Sequence, residues 1–104
     1  MKTTIKSFVL GLTFAGILTG VGNAETTKFS TPLYKGYHLD WCVDWGKIGC
    51  GKRVSENFCK IKGYQKSVGY KKWEKPGKPT RLIGNDSICD ADYCDSFHFI
   101  MCER

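Results

Sequence analysis

From residue 37 onward the chain alternates short apolar runs with polar turns, and the period of each run assigns an element. Residues 52–62 (KRVSENFCKIK) carry Val54, Phe58 and Ile61 at i, i+4 and i+7, with Cys59 beside them. That is a helical period, and Arg53, Glu56, Lys60 and Lys62 fall where they can face water. Gly63 follows as a left-handed C-terminal cap. Residues 37–45 (YHLDWCVDW) set Leu39, Trp41, Val43 and Trp45 at period two, predicting a short strand or extended segment. Gly46, Gly49 and Gly51 then turn the chain around Cys50. Residues 64–73 (YQKSVGYKKW) are rich in aromatic and β-branched residues and predict a strand. Residues 74–79 (EKPGKP) form a turn, and residues 80–83 are expected to return as that strand's partner. Residues 84–95 make an acidic loop. The final strand, residues 97–102 (FHFIMC), is expected to show Phe97, Phe99 and Met101 on one face and His98, Ile100 and Cys102 on the other. Residues 25–36 (ETTKFSTPLYKG) are polar, contain Pro32 and Gly36, and read as an extended arm or a poorly ordered lead-in. The expected fold class is α+β: one short helix packed on a small antiparallel sheet, with long loops.

The N-terminal segment changes the compartment. Lys2 and Lys6 precede an apolar run at residues 8–18, and small residues end the segment at Ala24. This is the layout of a secretory signal peptide with cleavage after Ala24. The apolar run is roughly 11 residues, short of the about 20 needed to span a bilayer. Residues 1–24 are therefore expected to be an export signal, residues 25–36 an arm, and residues 37–104 the domain. The mature chain is expected to be secreted or periplasmic, without a transmembrane segment, and monomeric.

Cys42, Cys50, Cys59, Cys89, Cys94 and Cys102 all lie in the remaining 80 residues, 25–104. A core that small is marginal and usually needs staples. The spacings lack paired short knuckles that would converge four zinc ligands, so a disulfide framework is favoured over metal. Six cysteines allow 15 pairings, among which sequence does not choose. The arrangement preferred here joins Cys42 to Cys50 and Cys89 to Cys94 across short loops, and Cys59 to Cys102 between helix and last strand. No cofactor and no metal site are expected. Asp90, Asp92 and Asp95 crowd oxygen ligands, but they depart from the calcium-loop template and read as an ordinary acidic turn.

Together, Trp45, Gly46, Cys50 and Gly51, the run F-C-x-x-x-G-Y at residues 58–64, and C-x4-C-x-x-F-x-x-I-x-C at residues 89–102 resemble a group of small secreted six-cysteine proteins of bacteria and plants. The likeness covers roughly 60 residues. It implies fold and export and carries no established activity. The step FCKIKGY also resembles scavenger receptor cysteine-rich domains, although Lys62 stands where those have leucine and the chain is shorter. That likeness implies a ligand-binding module, often for polyanions or microbial surfaces.

Charge adds a partner class. The chain carries a formal +6, and without Lys2 and Lys6 it keeps +4. Residues 47–81 hold 11 Lys and Arg against Glu56 and Glu74, whereas residues 82–104 hold Asp86, Asp90, Asp92, Asp95 and Glu103 against Arg104. A dense basic stretch attracts lipopolysaccharide, acidic glycans or anionic lipid headgroups. The alternative is a solvated face that confers solubility. The candidate ligand-binding residues are Lys60, Lys62, Lys66, Tyr70, Lys71, Lys72, Trp73, Lys75, Lys78 and Arg81. Nucleic acid is disfavoured, since exported disulfide domains seldom meet it and no recognised motif is present.

Trp73, beside a turn and among lysines, is the tryptophan expected at the surface and able to stack on a sugar ring, while Trp41 and Trp45 are expected in the core. His38 and His98 resemble the acid–base pair of small secreted ribonucleases only in residue type. No catalytic residue is assigned. The expected function is a secreted, non-enzymatic binding module for a polyanion or glycan surface. The alternatives are an effector, toxin or inhibitor acting on a protein, and then a small basic hydrolase of ribonuclease type. Asn85-Asp86-Ser87 also matches the N-glycosylation pattern, which matters only in a eukaryotic secretory route.

Overall fold

The structure, a computed structural model, describes residues 25–104. The expected export signal, residues 1–24, lies outside the described residues. In chain order the elements are β1 (Thr26–Ser30), β2 (Leu33–Tyr34), β3 (Tyr37–Leu39), α1 (Lys52–Ile61), β4 (Lys66–Trp73), β5 (Thr80–Arg81), β6 (Ile88–Cys89) and β7 (Ser96–Glu103). The domain is α+β, with one helix and two small sheets. The first sheet has order β1-β7-β4, both neighbours antiparallel to the central β7. The second has order β2-β3-β5-β6 and contains a parallel pair, β3 with β5. Among the described residues, no helix is long and apolar enough to cross a membrane.

Helix α1 buries Val54, Ser55, Phe58 and Cys59 against the first sheet. Phe58 meets Phe29 of β1 edge to face at 5.3 Å. The core comprises Leu39, Val54, Phe58, Cys59, Phe97, Ile100 and Cys102, with Phe29, Trp41, Val43 and Tyr64 packed around it. Each buried Val, Leu, Ile or Phe stabilises by about 1.5–3 kcal/mol relative to exposure. The helix ends as expected. Gly63, at φ 88°, donates its N–H to Lys60 O, and Tyr64 N–H reaches back to Cys59 O at 2.9 Å, closing the last turn. At the other end Gly51 caps with φ 66°, and a Cβ there would lie 2.9 Å from the Trp41 ring. Its N–H donates to Trp41 O at 2.8 Å, so this glycine locks the tryptophan loop to the helix start.

Several sequence expectations are corrected. Residues 25–36 are extended but built into the domain, because β1 pairs with β7 from Thr26–Glu103 to Ser30–Phe99. The strand expected over residues 37–45 stops at Leu39; beyond it the backbone turns, with Gly46 and Lys47 at positive φ. Residues 80–83 do not pair with β4. Thr80 and Arg81 instead bridge β3 and β6, and the partner of β4 is β7. The even alternation expected for the last strand is broken. Lys71 pairs Phe99 and Lys72 pairs Phe97, leaving His98 as an extra residue. That bulge shifts parity, so Phe97 joins Ile100 and Cys102 in the core, and all three are fully buried. A second bulge, at Val68 of β4, lies between the Ser67–Cys102 and Gly69–Met101 pairs.

The disulfides are Cys42–Cys50, Cys59–Cys102 and Cys89–Cys94, the arrangement preferred from the sequence. Cys59–Cys102 joins α1 to the central strand inside the core. Leu82, Cys89 and Cys94 form a second small cluster beneath the acidic loop.

Two stability predictions follow from this arrangement. Replacing Cys59 and Cys102 with alanine opens the longest loop, a separation of 43 residues, against 8 and 5 for the others. Chain entropy alone assigns about 4 kcal/mol to it and about 2–3 kcal/mol to each short loop. Urea unfolding of the three double variants should therefore rank this one least stable, and an equal ranking would contradict the argument. Gly51→Ala should cost about 1–3 kcal/mol, since the positive φ and the Trp41 ring both oppose a methyl group; thermal unfolding reads it.

Candidate functional site

The ten residues expected to form one basic surface are dispersed by the fold. Lys60 and Lys62 lie exposed on and just after α1, and Lys62 sits 5.4 Å from the Phe58 ring. Tyr70 faces the helix side of the sheet, against Trp41 at 5.7 Å and Phe97 at 6.0 Å. Lys72 is drawn inward, 3.5 Å from Asp95 and 5.3 Å from the centroid of the Trp41 ring. Arg81 donates Nε–H to Asp86 O at 2.8 Å and Nη1–H to Lys35 O at 3.0 Å, which fastens two loops. Lys75 gives its backbone N–H to Asp95 Oδ1 at 3.0 Å. Lys78 is exposed in the turn before β5.

Lys66 and Lys71 remain on the open face of the first sheet. Register defines that face. The row Phe29–Ile100–Tyr70 points to the helix, so the rows Lys28–Met101–Gly69 and Ser30–Phe99–Lys71 point away from it. Lys66 and Glu103 share the outermost row, 3.9 Å apart. Lys28, whose ammonium lies 4.5 Å from the Phe99 ring centroid, is a basic residue that sequence reasoning left in the lead-in. Residues 26–30 hold one apolar residue, Phe29, so no sequence alternation marked this strand; its burial alternates only once it is paired with β7. Among the described residues no helix lies on this face, and Phe99 and Met101 stay half-exposed.

The bulge turns His98 outward onto Trp73, where the two rings stack at 5.1 Å and 16°. His38 meets the same indole edge to face at 5.6 Å. The two histidines thus share Trp73 as a neighbour, and Trp73 is half-buried by them, in place of the exposed position expected. Trp45 shows the opposite correction. Expected in the core, it is 46% exposed, because the chain has turned before reaching it.

The acidic segment is tied to the end of β2 and the turn after it. Asp86 accepts from Lys35 Nζ and from the Tyr34 hydroxyl. The hydrogen bond from Lys35, followed by that from Tyr34, holds the Asp86 carboxyl below its ordinary value. The same bonds to Asp86 raise the Lys35 ammonium and the Tyr34 hydroxyl. Among the described residues, no group of three or more His, Cys, Asp or Glu side chains could hold a metal ion.

A cleft of about 130 Å³ opens between the two short disulfide loops. Its walls carry Trp41, Trp45 and Tyr93, with Asp44, Asp95 and Lys72 among the polar residues. Of these, only Lys72 was among the ligand-binding residues expected from the sequence. Asp40 lies at the base, 7% exposed. It accepts the Thr80 hydroxyl at 2.6 Å and the Cys42 N–H at 2.9 Å, joining β3, β5 and the first disulfide loop. No family model, no curated protein and no solved structure matches this chain.

Burial pushes the Asp40 carboxyl above its ordinary value, against the lowering effect of its two hydrogen bonds. The folded state therefore holds this proton to higher pH than the unfolded chain, and the contribution to stability falls as pH rises above about 4. Asp40→Asn removes the ionisation and keeps an acceptor for the Cys42 N–H. The decline in unfolding free energy between about pH 4 and pH 7 should be flatter in this variant. A urea series across that range measures it, and an unchanged slope would exclude Asp40 as its source.

Proposed function

We propose that this domain is an exported binding module that meets an anionic polymer surface through the open face of its three-stranded sheet. The observation that carries the reading is the pair Lys28 and Lys71, on the two strands flanking Phe99, on a face that no helix among the described residues covers. Lysines set beside a half-exposed aromatic ring combine charge attraction with apolar contact to the carbon skeleton of a polymer. The chain's excess of basic residues favours the same class of partner at longer range. Three disulfides fit an oxidising setting outside the cytoplasm, as does the export-signal layout of residues 1–24.

Of the basic residues expected to act together, Lys66 and Lys71 keep this role and Lys28 joins them. Lys72 and Arg81 serve the fold through Asp95 and the Asp86 loop. The hydrolase alternative finds less support, because both imidazoles lean on the Trp73 indole.

The test is a heparin column. The oxidised protein should be retained at about 50 mM salt and released by about 500 mM, the range over which surface charge is screened. The double variant Lys28→Ala with Lys71→Ala should elute clearly earlier than Lys60→Ala with Lys62→Ala, which removes the same charge from the helix side. Equal elution of the two, or no retention of the parent protein, would refute the assignment of this face.

A further inference from the structure

The cleft between the two short disulfide loops is a second site, separate from the open sheet face. We propose that it binds one neutral pyranose ring with equatorial substituents. The volume, about 130 Å³, is the space of a single six-membered ring. Two of its aromatic walls are exposed at the rim: Trp45 at 46% and Tyr93 at 61%. Large exposed aromatic side chains converging on one hollow are unusual in a domain with so little core to spare, and a flat ring of C–H bonds is a natural partner for their faces.

The charges in the wall select among ring-sized ligands. Asp40, Asp44 and Asp95 stand against Lys47 and Lys72. An anionic sugar would meet three carboxylates. A cationic ligand would have to displace Lys72, whose ammonium already lies over the Trp41 ring and beside Asp95. A purely apolar group would cover the Asp44 carboxylate, whose two hydrogen bonds both go to Oδ1, and give Oδ2 no donor. Asp44 Oδ1 accepts the Trp45 N–H at 2.7 Å and Asn85 Nδ2 at 2.7 Å. Those bonds orient the side chain and leave Oδ2 for a ligand hydroxyl. A neutral polyol satisfies all these constraints: its hydroxyls donate to Asp44 and Asp95 and accept from Lys72, while its C–H face lies on Trp45 or Tyr93. Equatorial substitution is what keeps that face flat. The disulfides Cys42–Cys50 and Cys89–Cys94 hold the two walls, so little ordering accompanies binding.

Amide-resolved NMR titration of the oxidised protein with cellobiose and with N,N′-diacetylchitobiose tests the proposal. Saturable shifts are expected at Asp44, Trp45, Tyr93 and Asp95 and at the Trp45 indole N–H. The dissociation constant should be of the order of 1 mM, as suits one ring. Trp45→Ala should weaken binding by about tenfold, the loss of one stacking contact. Trp45 is a rim residue, so the variant should keep a dispersed spectrum; Tyr93→Ala probes the opposite wall, in the Cys89–Cys94 loop. No saturable shift with either sugar would overturn the proposal, as would shifts that survive both substitutions or that map only to Lys28, Lys71 and Phe99. Heparin elution separates this site from the sheet face. Trp45→Ala should elute from heparin with the parent protein, and Lys28→Ala with Lys71→Ala should titrate with sugar as the parent does.

Discussion

The fold depends on the bond between Cys59 and Cys102. It fixes the only helix among the described residues onto the strand with which both edge strands pair. In a domain of this size apolar burial alone is marginal, and a staple inside the core determines which face of β7 is internal. From that choice the rest is derived: Ile100 and Phe97 go inward, Phe99 and Met101 go outward, and Lys28 and Lys71 follow their partners to the open side. The other two disulfides act on loops. They shape the walls of the cleft and leave the sheet unchanged.

Charge segregates along the chain far more than it does in space. Lys72 reaches Asp95 and Lys66 neighbours Glu103, which ties the acidic tail to the basic middle, while Lys35 reaches Asp86 from the turn after β2. Exposed ion pairs of this kind contribute little stability. Their effect is to remove Lys35 and Lys72 from the pool that a partner could meet, leaving Lys28 and Lys71 prominent on one face with Lys66 exposed at its edge.

Much of the secondary structure was legible. The helix, its glycine cap and strands expected at residues 64–73 and 97–102 follow from local period, while the disulfide pairs were a preference among 15 pairings that sequence alone does not decide. What escaped was non-local. The parallel pairing of β3 with β5 joins His38 to Thr80, and no hairpin signal announces such a contact. The bulge at His98 depends on the partner strand's register, which one strand's pattern does not contain. Trp45 looked internal because alternation was extended past Asp40. That buried carboxylate instead binds Thr80 and the Cys42 N–H and helps turn the chain. Lys28 was overlooked because its strand is the edge of a sheet whose other strands lie far away in sequence.

The two outer strands of the first sheet also bear on how copies of this protein behave when crowded. Among the described residues neither pairs with a further strand on its outer side, which makes that side a template onto which another chain could add. β4 carries Lys66, Lys71 and Lys72 and is kinked by its bulge at Val68; β1 is only five residues long and carries Lys28. Lysines, a kink and brevity are the features that discourage strand addition between molecules. Substituting neutral residues for these lysines would therefore trade away resistance to fibril-like stacking, whatever ligand the face serves.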